Sequence, residues 1–402
     1  MKPLTLAVLA MLLQQAFSYM STLVLPLAAS RISDDLGLDP ALLGVYTTAM
    51  YAIGIFTALS CGGFIRRYGA LRVSQISLLS MALGLMAGAS GRPLVMLAGA
   101  GFIGLGAAVS TPASSEILAR YAPPRHAPLI FSIKQTGVPV GGILAGLLVP
   151  LFIGLFGWRG GFVAAAGMCA ALAVLLQPLR REFDQVRDPS APISLSQTVN
   201  TLRAVSMARP FRELAIACLT YVGIQSCFGA FFVLFMTKGL GHDLSTAGYV
   251  FAISQAVAVF ARILWGWLSG RWVTPRTMLA LLGAGMAIAC VATGMAAADW
   301  SILAIAAAAI ALSATAISFH GVMLAEVARL APPGQIATMT GGVLSFASAG
   351  MLIYPAIYSL ILGTSDANYG YGFLAAAAPA LLAGLLFLRA PELVAKIVRQ
   401  DQ

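Results

Sequence analysis

Charged side chains are scarce in this sequence: of 402 residues only 9% are Asp, Glu, Lys or Arg, against about 25% in an ordinary soluble domain. That excludes a water-soluble globular protein. Histidine occurs only three times, at His126, His242 and His320. The five cysteines, Cys61, Cys169, Cys218, Cys227 and Cys290, are irregularly spaced inside apolar runs. Neither set has metal-ligand spacing, a disulfide framework or a nucleophile beside a base, so the pattern points to no enzyme and no cofactor. Acidic residues are rarer than basic ones, 14 against 24, for a net charge of +10. In a soluble chain that balance invites a nucleic-acid reading. Here the basic residues sit in short loops without an interleaved aromatic stripe, which leaves no surface for tracking phosphates.

Apolar residues are what the chain has in abundance, 59% of the total, with a mean hydropathy of +0.90. Apolar runs of membrane-spanning length recur from end to end. Turn and charge clusters divide them into twelve predicted spans, with one long polar segment near the midpoint. This gives an N-terminal six-helix unit over 1–179, a linker over 180–212 and a C-terminal six-helix unit over 213–402. The first run resembles a signal peptide, but it continues to Ala29 and many more follow, so it reads as span one.

Loop charges orient the chain. The side expected to carry both termini and the linker holds 18 basic residues, Lys2, Arg389, Lys396 and Arg399 among them; the opposite side holds Arg31, Arg92, Arg159 and Lys238. The positive-inside rule places the first side in the cytoplasm. Asp34, Asp35, Asp39, Asp243, Asp299 and Asp366 fall on the other side, in agreement. The expectation is a monomeric multi-pass protein of a bacterial-type inner membrane.

The two halves echo each other. Gly62, Arg67 and Arg72 after span two recur as Gly266, Arg271 and Arg276 after span eight, and Ala122-Pro123-Pro124 recurs as Ala331-Pro332-Pro333. Such duplication builds two similar bundles that rock about a shared cavity. The segment Gly62-Gly63-Phe64-Ile65-Arg66-Arg67-Tyr68-Gly69-Ala70-Leu71-Arg72 resembles the cytoplasmic loop motif of the major facilitator superfamily. Its gating positions fall on Gly62, Arg67, Gly69 and Arg72, with Arg271 in the second copy. Where that motif carries an acid, this chain has Arg66. The resemblance implies an all-α integral membrane fold of twelve transmembrane helices in two pseudo-symmetric six-helix bundles.

A charge inside hydrocarbon costs about 2.5 to 3.5 kcal/mol on insertion scales, so each one requires a reason. Lys134 on span five lies nine residues after Arg125, and Arg262 on span eight lies nine before Arg271. Nine residues is ~14 Å of helix, close to the middle of a ~30 Å core. Gln255, Arg262 and Ser269 form a seven-residue polar stripe, while Lys134 shares its face with Gly137 and Gly141. The alternatives are structural: Lys134 snorkelling to the interface, and Arg262 capping backbone carbonyls.

No acidic residue is expected at that depth. Glu116 and Glu326 sit near the ends of spans four and ten, and Glu116 is spaced to pair with Arg120. A net positive cleft attracts an anion and repels cations. An arginine on span eight four residues before the loop-motif glycine also resembles the pattern of monocarboxylate and oxalate/formate carriers. With Arg262, Lys134 and Gln255, the residues Gln15, Tyr19, Tyr51, Tyr221 and Gln225 make up the expected substrate pocket. His320 on span ten lies at similar depth and is the proton-coupling candidate.

Two motifs are set aside. Gly99-Ala100-Gly101-Phe102-Ile103-Gly104 has dinucleotide-fingerprint spacing but lies inside span four with no strand before it. Gly137-Val138-Pro139-Val140-Gly141-Gly142 matches the drug-antiporter motif only in part. The expectation is therefore a secondary transporter of a small organic anion, a carboxylate first, by alternating access with proton symport or a counter-anion. The rivals are efflux or antiport of an amphipathic compound, and a transporter-shaped receptor that binds without flux.

Overall fold

The computed structural model describes residues 3–37, 42–191, 195–364 and 368–388. The charge assignments made for Lys2, Asp39, Asp366, Arg389, Lys396 and Arg399 lie outside the described residues. Among those described, every regular element is helical.

In chain order the first helices are α1 (Pro3–Leu36), α2 (Leu42–Tyr68), α3 (Ala70–Gly88), α4 (Pro93–Tyr121), α5 (Ala127–Gln135) and α6 (Gly137–Leu175). The linker contributes α7 (Arg180–Phe183) and α8 (Leu195–Met207). The second half holds α9 (Arg209–Leu234), α10 (Leu244–Arg271), α11 (Pro275–Gly294), α12 (Ile302–Ala316), α13 (His320–Leu330), α14 (Ile336–Thr364) and α15 (Tyr369–Leu385). Among the described residues, eleven stretches are long and apolar enough to cross a membrane, one of them the 60-residue run Pro124–Phe183. At 1.5 Å per residue that run is far too long for one crossing. It breaks at Gly157, whose φ of 70° lies in the left-handed region, and so supplies spans five and six. The total is twelve crossings.

Large apolar side chains such as Leu147, Val174, Phe260, Leu303 and Leu360 are exposed on the outside, a surface that only lipid can cover. Inside, one apolar core gathers side chains from Ala7 to Phe183, and a second gathers those from Val205 to Phe387. Each is the centre of a six-helix bundle. Leu324, Ala325 and Ala337 of the second half pack into the first core, so the bundles meet.

They meet through glycine. A Cβ at Gly62 would collide with Thr338, one at Gly341 with the Ala58 carbonyl, one at Gly266 with Ser132, and one at Gly270 with the Arg125 carbonyl. Span two therefore packs on span eleven as span eight packs on span five, the same contact made twice by the duplicated unit. The Gly341 contact lies deeper, at Ala58 beside the central cavity, and the contacts at Gly62, Gly266 and Gly270 lie toward the arginine-rich side, which is closed. Glu116 adds a polar tie there: it accepts the Ala337 backbone N–H at 3.1 Å, a carboxylate on the first turn of α14 where the helix dipole favours it. It also pairs with Arg120 at 3.6 Å, as the sequence spacing predicts.

The loop motif turns at Gly69, with φ at 94°. Asp184 of the linker occupies the space a side chain would need there. Its carboxylate accepts the backbone N–H groups of Leu71 and Arg72 at 2.8 and 3.0 Å, capping α3.

Candidate functional site

A cavity of about 230 Å³ lies between the bundles, walled by α1, α2, α4, α5 and α6 on one side and α9, α10, α13 and α14 on the other. Its polar wall residues include Gln15, Tyr19, Tyr51, Thr111, Gln135, Gln225, Arg262 and His320, and its apolar wall includes Met50, Leu344 and Met351. Among the described residues the wall contains no Asp or Glu.

Arg262 is only 2% exposed and joins two interrupted helices. One Nη donates to the Gln135 carbonyl and the other to the Ile317 carbonyl, the latter at 2.6 Å. The first of these acceptors is explained by sequence. In a regular helix the carbonyl of residue 135 would receive the N–H of residue 139, but Pro139 has none, and the helix is interrupted at Thr136. The second acceptor lies where regular helix lapses over 317–319, between α12 and α13. The carbonyl-capping alternative for Arg262 is thus present in this conformer. It uses two of the five guanidinium donors, and the buried Nε–H has no partner.

Lys134, 1% exposed, stands behind the wall. Its Nζ donates to Gln15 Oε1 at 2.7 Å and to Gln135 Oε1 at 3.0 Å. It does not snorkel. Gly137 lets α1 approach closely, since a Cβ there would lie 2.6 Å from the Leu12 carbonyl oxygen, and Gln15 is thereby brought within reach. Thr111 donates to the same Gln15 oxygen at 3.0 Å. Among the described residues, neither Lys134 nor Arg262 is in any ion pair. His320 shares the Ile317 carbonyl, with Nδ1 3.3 Å away, and stacks on Phe319 at 4.2 Å between ring centres.

Two carbonyl-bridged broken helices around a central cavity, in a twelve-helix duplicated bundle, narrow the comparison to one set of proteins. The profile of the Major Facilitator Superfamily matches residues 11–323 and, in a second overlapping match, 214–401. The chain belongs to this superfamily of transporters. As a member of that superfamily it is an integral multi-pass membrane protein of a family of transporters rather than of enzymes. It is 25% identical over 228 residues to monocarboxylate transporter 4 of Gallus gallus, covering 54% of this chain and 46% of that protein. It is 24% identical over 290 residues to the 4-hydroxybenzoate transporter PcaK of Pseudomonas aeruginosa, covering 63% of each. The chain thus spans about half to two thirds of the length of these relatives. In fold it is similar to an outward-facing bacterial homologue of the iron transporter ferroportin, with a TM-score of 0.76 at 15% identity over 97% of this chain and 99% of the other.

The facilitator's cavity brings together Arg262, Gln15, Tyr19, Tyr51, Gln225 and His320 of the expected site, with Lys134 one side chain behind. Two expected pocket residues are elsewhere. Tyr221 is fully buried; its hydroxyl donates to the Leu279 carbonyl at 3.0 Å and its ring meets Phe319 edge-on. Its stripe with Gln225 on α9 is broad enough that only Gln225 reaches the cavity. Gln255 lies two turns from Arg262 along α10 and is not a wall residue.

Gln135 and Thr111 are wall residues that sequence reasoning missed. The signal for Gln135 was Pro139 four residues on.

Proposed function

We propose that this facilitator is a secondary active transporter of a small organic anion, a carboxylate first, working by alternating access in an inner membrane with both termini cytoplasmic. It acts as a monomer, with 1–179 and 213–402 as the rocking units and 180–212 as a cytoplasmic linker. Arg262 and Lys134 supply the field that selects the cargo. Arg262 presents the unpartnered Nε–H edge to the carboxylate. Lys134, held by Gln15 and Gln135, adds positive potential from behind and tethers those two amides. Tyr19, Tyr51 and Gln225 orient the rest of the molecule. Gly62, Arg67, Gly69, Arg72 and Arg271 belong to the gate.

The observation that carries this reading is the absence of any carboxylate on the cavity wall beside a buried, unpaired arginine, among the described residues. Fixed positive charge in a low-dielectric cleft favours anions, and Arg is suited to a bidentate grip on a carboxylate. The monocarboxylate and 4-hydroxybenzoate carriers among its relatives point the same way.

Moving an anion inward against an inside-negative potential costs ~2.3 kcal/mol per 100 mV, which a co-moving proton or an exchanged counter-anion offsets, and the reading favours the proton. His320 and Arg262 share one carbonyl acceptor. A protonated imidazole beside the guanidinium is repelled unless an anion lies with them, so proton and cargo bind together and travel as a neutral pair. Uptake of labelled carboxylates into proteoliposomes tests this. Wild type should accumulate a carboxylate under an inward proton gradient, and Arg262→Ala should not. Undiminished uptake in the variant, or binding without flux in wild type, would reject the reading.

A further inference from the structure

The gate contains a second cavity that cargo binding does not use. It measures about 250 Å³ and is lined by Ser60, Gly62 and Arg66 from α2, Asn200 and Thr201 from α8, and Gln335 and Thr338 at the start of α14. Its walls therefore come from both bundles and from the linker. Three features set it apart from a packing defect. Its polar lining includes the hydroxyls and amides of Asn200, Thr201, Gln335 and Thr338, which can donate hydrogen bonds, while the Ser60 hydroxyl is already engaged with the Phe56 carbonyl and Thr198. Among the described residues no carboxylate lines it. The Nε–H of Arg66 is buried with no partner, a costly state for a charged group if left unanswered.

Arg66 also stands where the loop motif ordinarily has an acid, so the sign of the gate is inverted at this point. The linker residue in contact with it answers the charge only weakly. Asp188 donates its backbone N–H to the Arg66 carbonyl at 2.8 Å, while its carboxylate accepts from the hydroxyl and N–H of Ser190. Those bonds chiefly hold the Asp188 carboxyl below the ordinary aspartate value, with the Arg66 charge the smallest contributor.

We propose that this pocket is a second anion site, for a phosphate-type oxyanion, assembled only while the arginine-rich side is shut. A tetrahedral oxyanion offers several acceptor oxygens in different directions. That matches donors converging from three helices better than a planar carboxylate, which presents two oxygens in one plane. Because α2 and α14 separate when the bundles rock, a ligand held between them binds one conformer and favours it by its differential affinity. Phosphate could reach the pocket as a free phosphomonoester or as a lipid headgroup.

The test uses the purified full-length protein. In lipid-free maltoside micelles, inorganic phosphate should raise the melting temperature of wild type and of Arg262→Gln alike, because only the folded form binds. Arg66→Gln should bind phosphate at least about tenfold more weakly, the loss of one charge-assisted hydrogen bond. In nanodiscs, phosphatidylglycerol that abolishes the phosphate response through Arg66 identifies a headgroup as occupant; a response that persists identifies a soluble phosphate. If Arg66→Gln does not fold, Thr338→Val and Asn200→Leu report on the same affinity. Equal phosphate binding with and without the Arg66 side chain overturns the proposal. So does a wild type that responds neither to phosphate nor, through Arg66, to phosphatidylglycerol. Because Arg262→Gln leaves this site intact, failure of the cargo reading and failure of this one are separable.

Discussion

Replacing Arg262 by lysine keeps the charge and removes the fork. In the structure the guanidinium serves the Gln135 and Ile317 carbonyls together and still has a free Nε–H. A single ammonium at the end of a shorter reach serves one of them. The other is left short of a donor, at about 1.5 to 3 kcal/mol for a hydrogen bond to a charged group. Arg262→Lys should therefore melt at a clearly lower temperature than wild type, and its kcat/KM for carboxylate uptake should fall about 10- to 100-fold as a bidentate contact becomes a single one. A second substitution separates the two effects. Pro139→Ala supplies the missing backbone N–H to the Gln135 carbonyl, so in the Arg262→Lys background it should restore about 1 kcal/mol of stability and no transport. The paired assay is thermal melting in detergent beside initial uptake rates in proteoliposomes. If Arg262→Lys transports with wild-type kcat/KM, or if Pro139→Ala restores flux as well as stability, the guanidinium does not hold cargo and scaffold with separate donors.

His320→Gln should bind carboxylate at neutral pH but lose the stimulation of uptake by an inward proton gradient; counterflow at equal pH would persist, and a retained gradient response would clear His320 of coupling. Tyr221→Phe should lower stability by about 1 kcal/mol, the worth of its bond to the Leu279 carbonyl, with KM unchanged; a raised KM would return Tyr221 to the pocket. Gly266→Ala forces a methyl group against Ser132 and the Pro128 carbonyl and should pry open the arginine-rich side. Cysteines introduced there should label several-fold faster with a membrane-impermeant maleimide, and an unchanged rate would deny the glycine contacts a gating role. Glu116→Gln should act in the same direction more weakly, by roughly 0.3 to 1 kcal/mol for a charge at a helix N-terminus.

The architecture was largely readable from apolar run length, because the bilayer admits few alternatives to a helix. The repeat of Gly62 and Gly266 was legible as a sign of duplication, and the structure adds that both glycines are contact points between the bundles. The site was legible where charge made a residue expensive: Lys134 and Arg262 stood out against hydrocarbon and both are buried in the centre. Uncharged residues carried no such signal. Tyr221 and Gln225 occupy neighbouring turns of α9, and nothing in their spacing says that one faces α11 and the other the cavity. Nor does hydrophobicity reveal that spans five and six run together until Gly157, or that Lys134 speaks to the cavity through two glutamines.

The bundles touch closely at Gly62, Gly266 and Gly270, and none of these glycines lines the central cavity, whereas Ala58, which Gly341 meets, does. On the proposed reading the close interbundle contacts and the cargo-facing wall are therefore largely different residues, with Ala58 belonging to both. If the proposed cargo reading holds, redirecting the carrier to a differently shaped acid would mean exchanging wall residues such as Tyr51, Met351 or Gln225, with the glycine contacts inherited untouched.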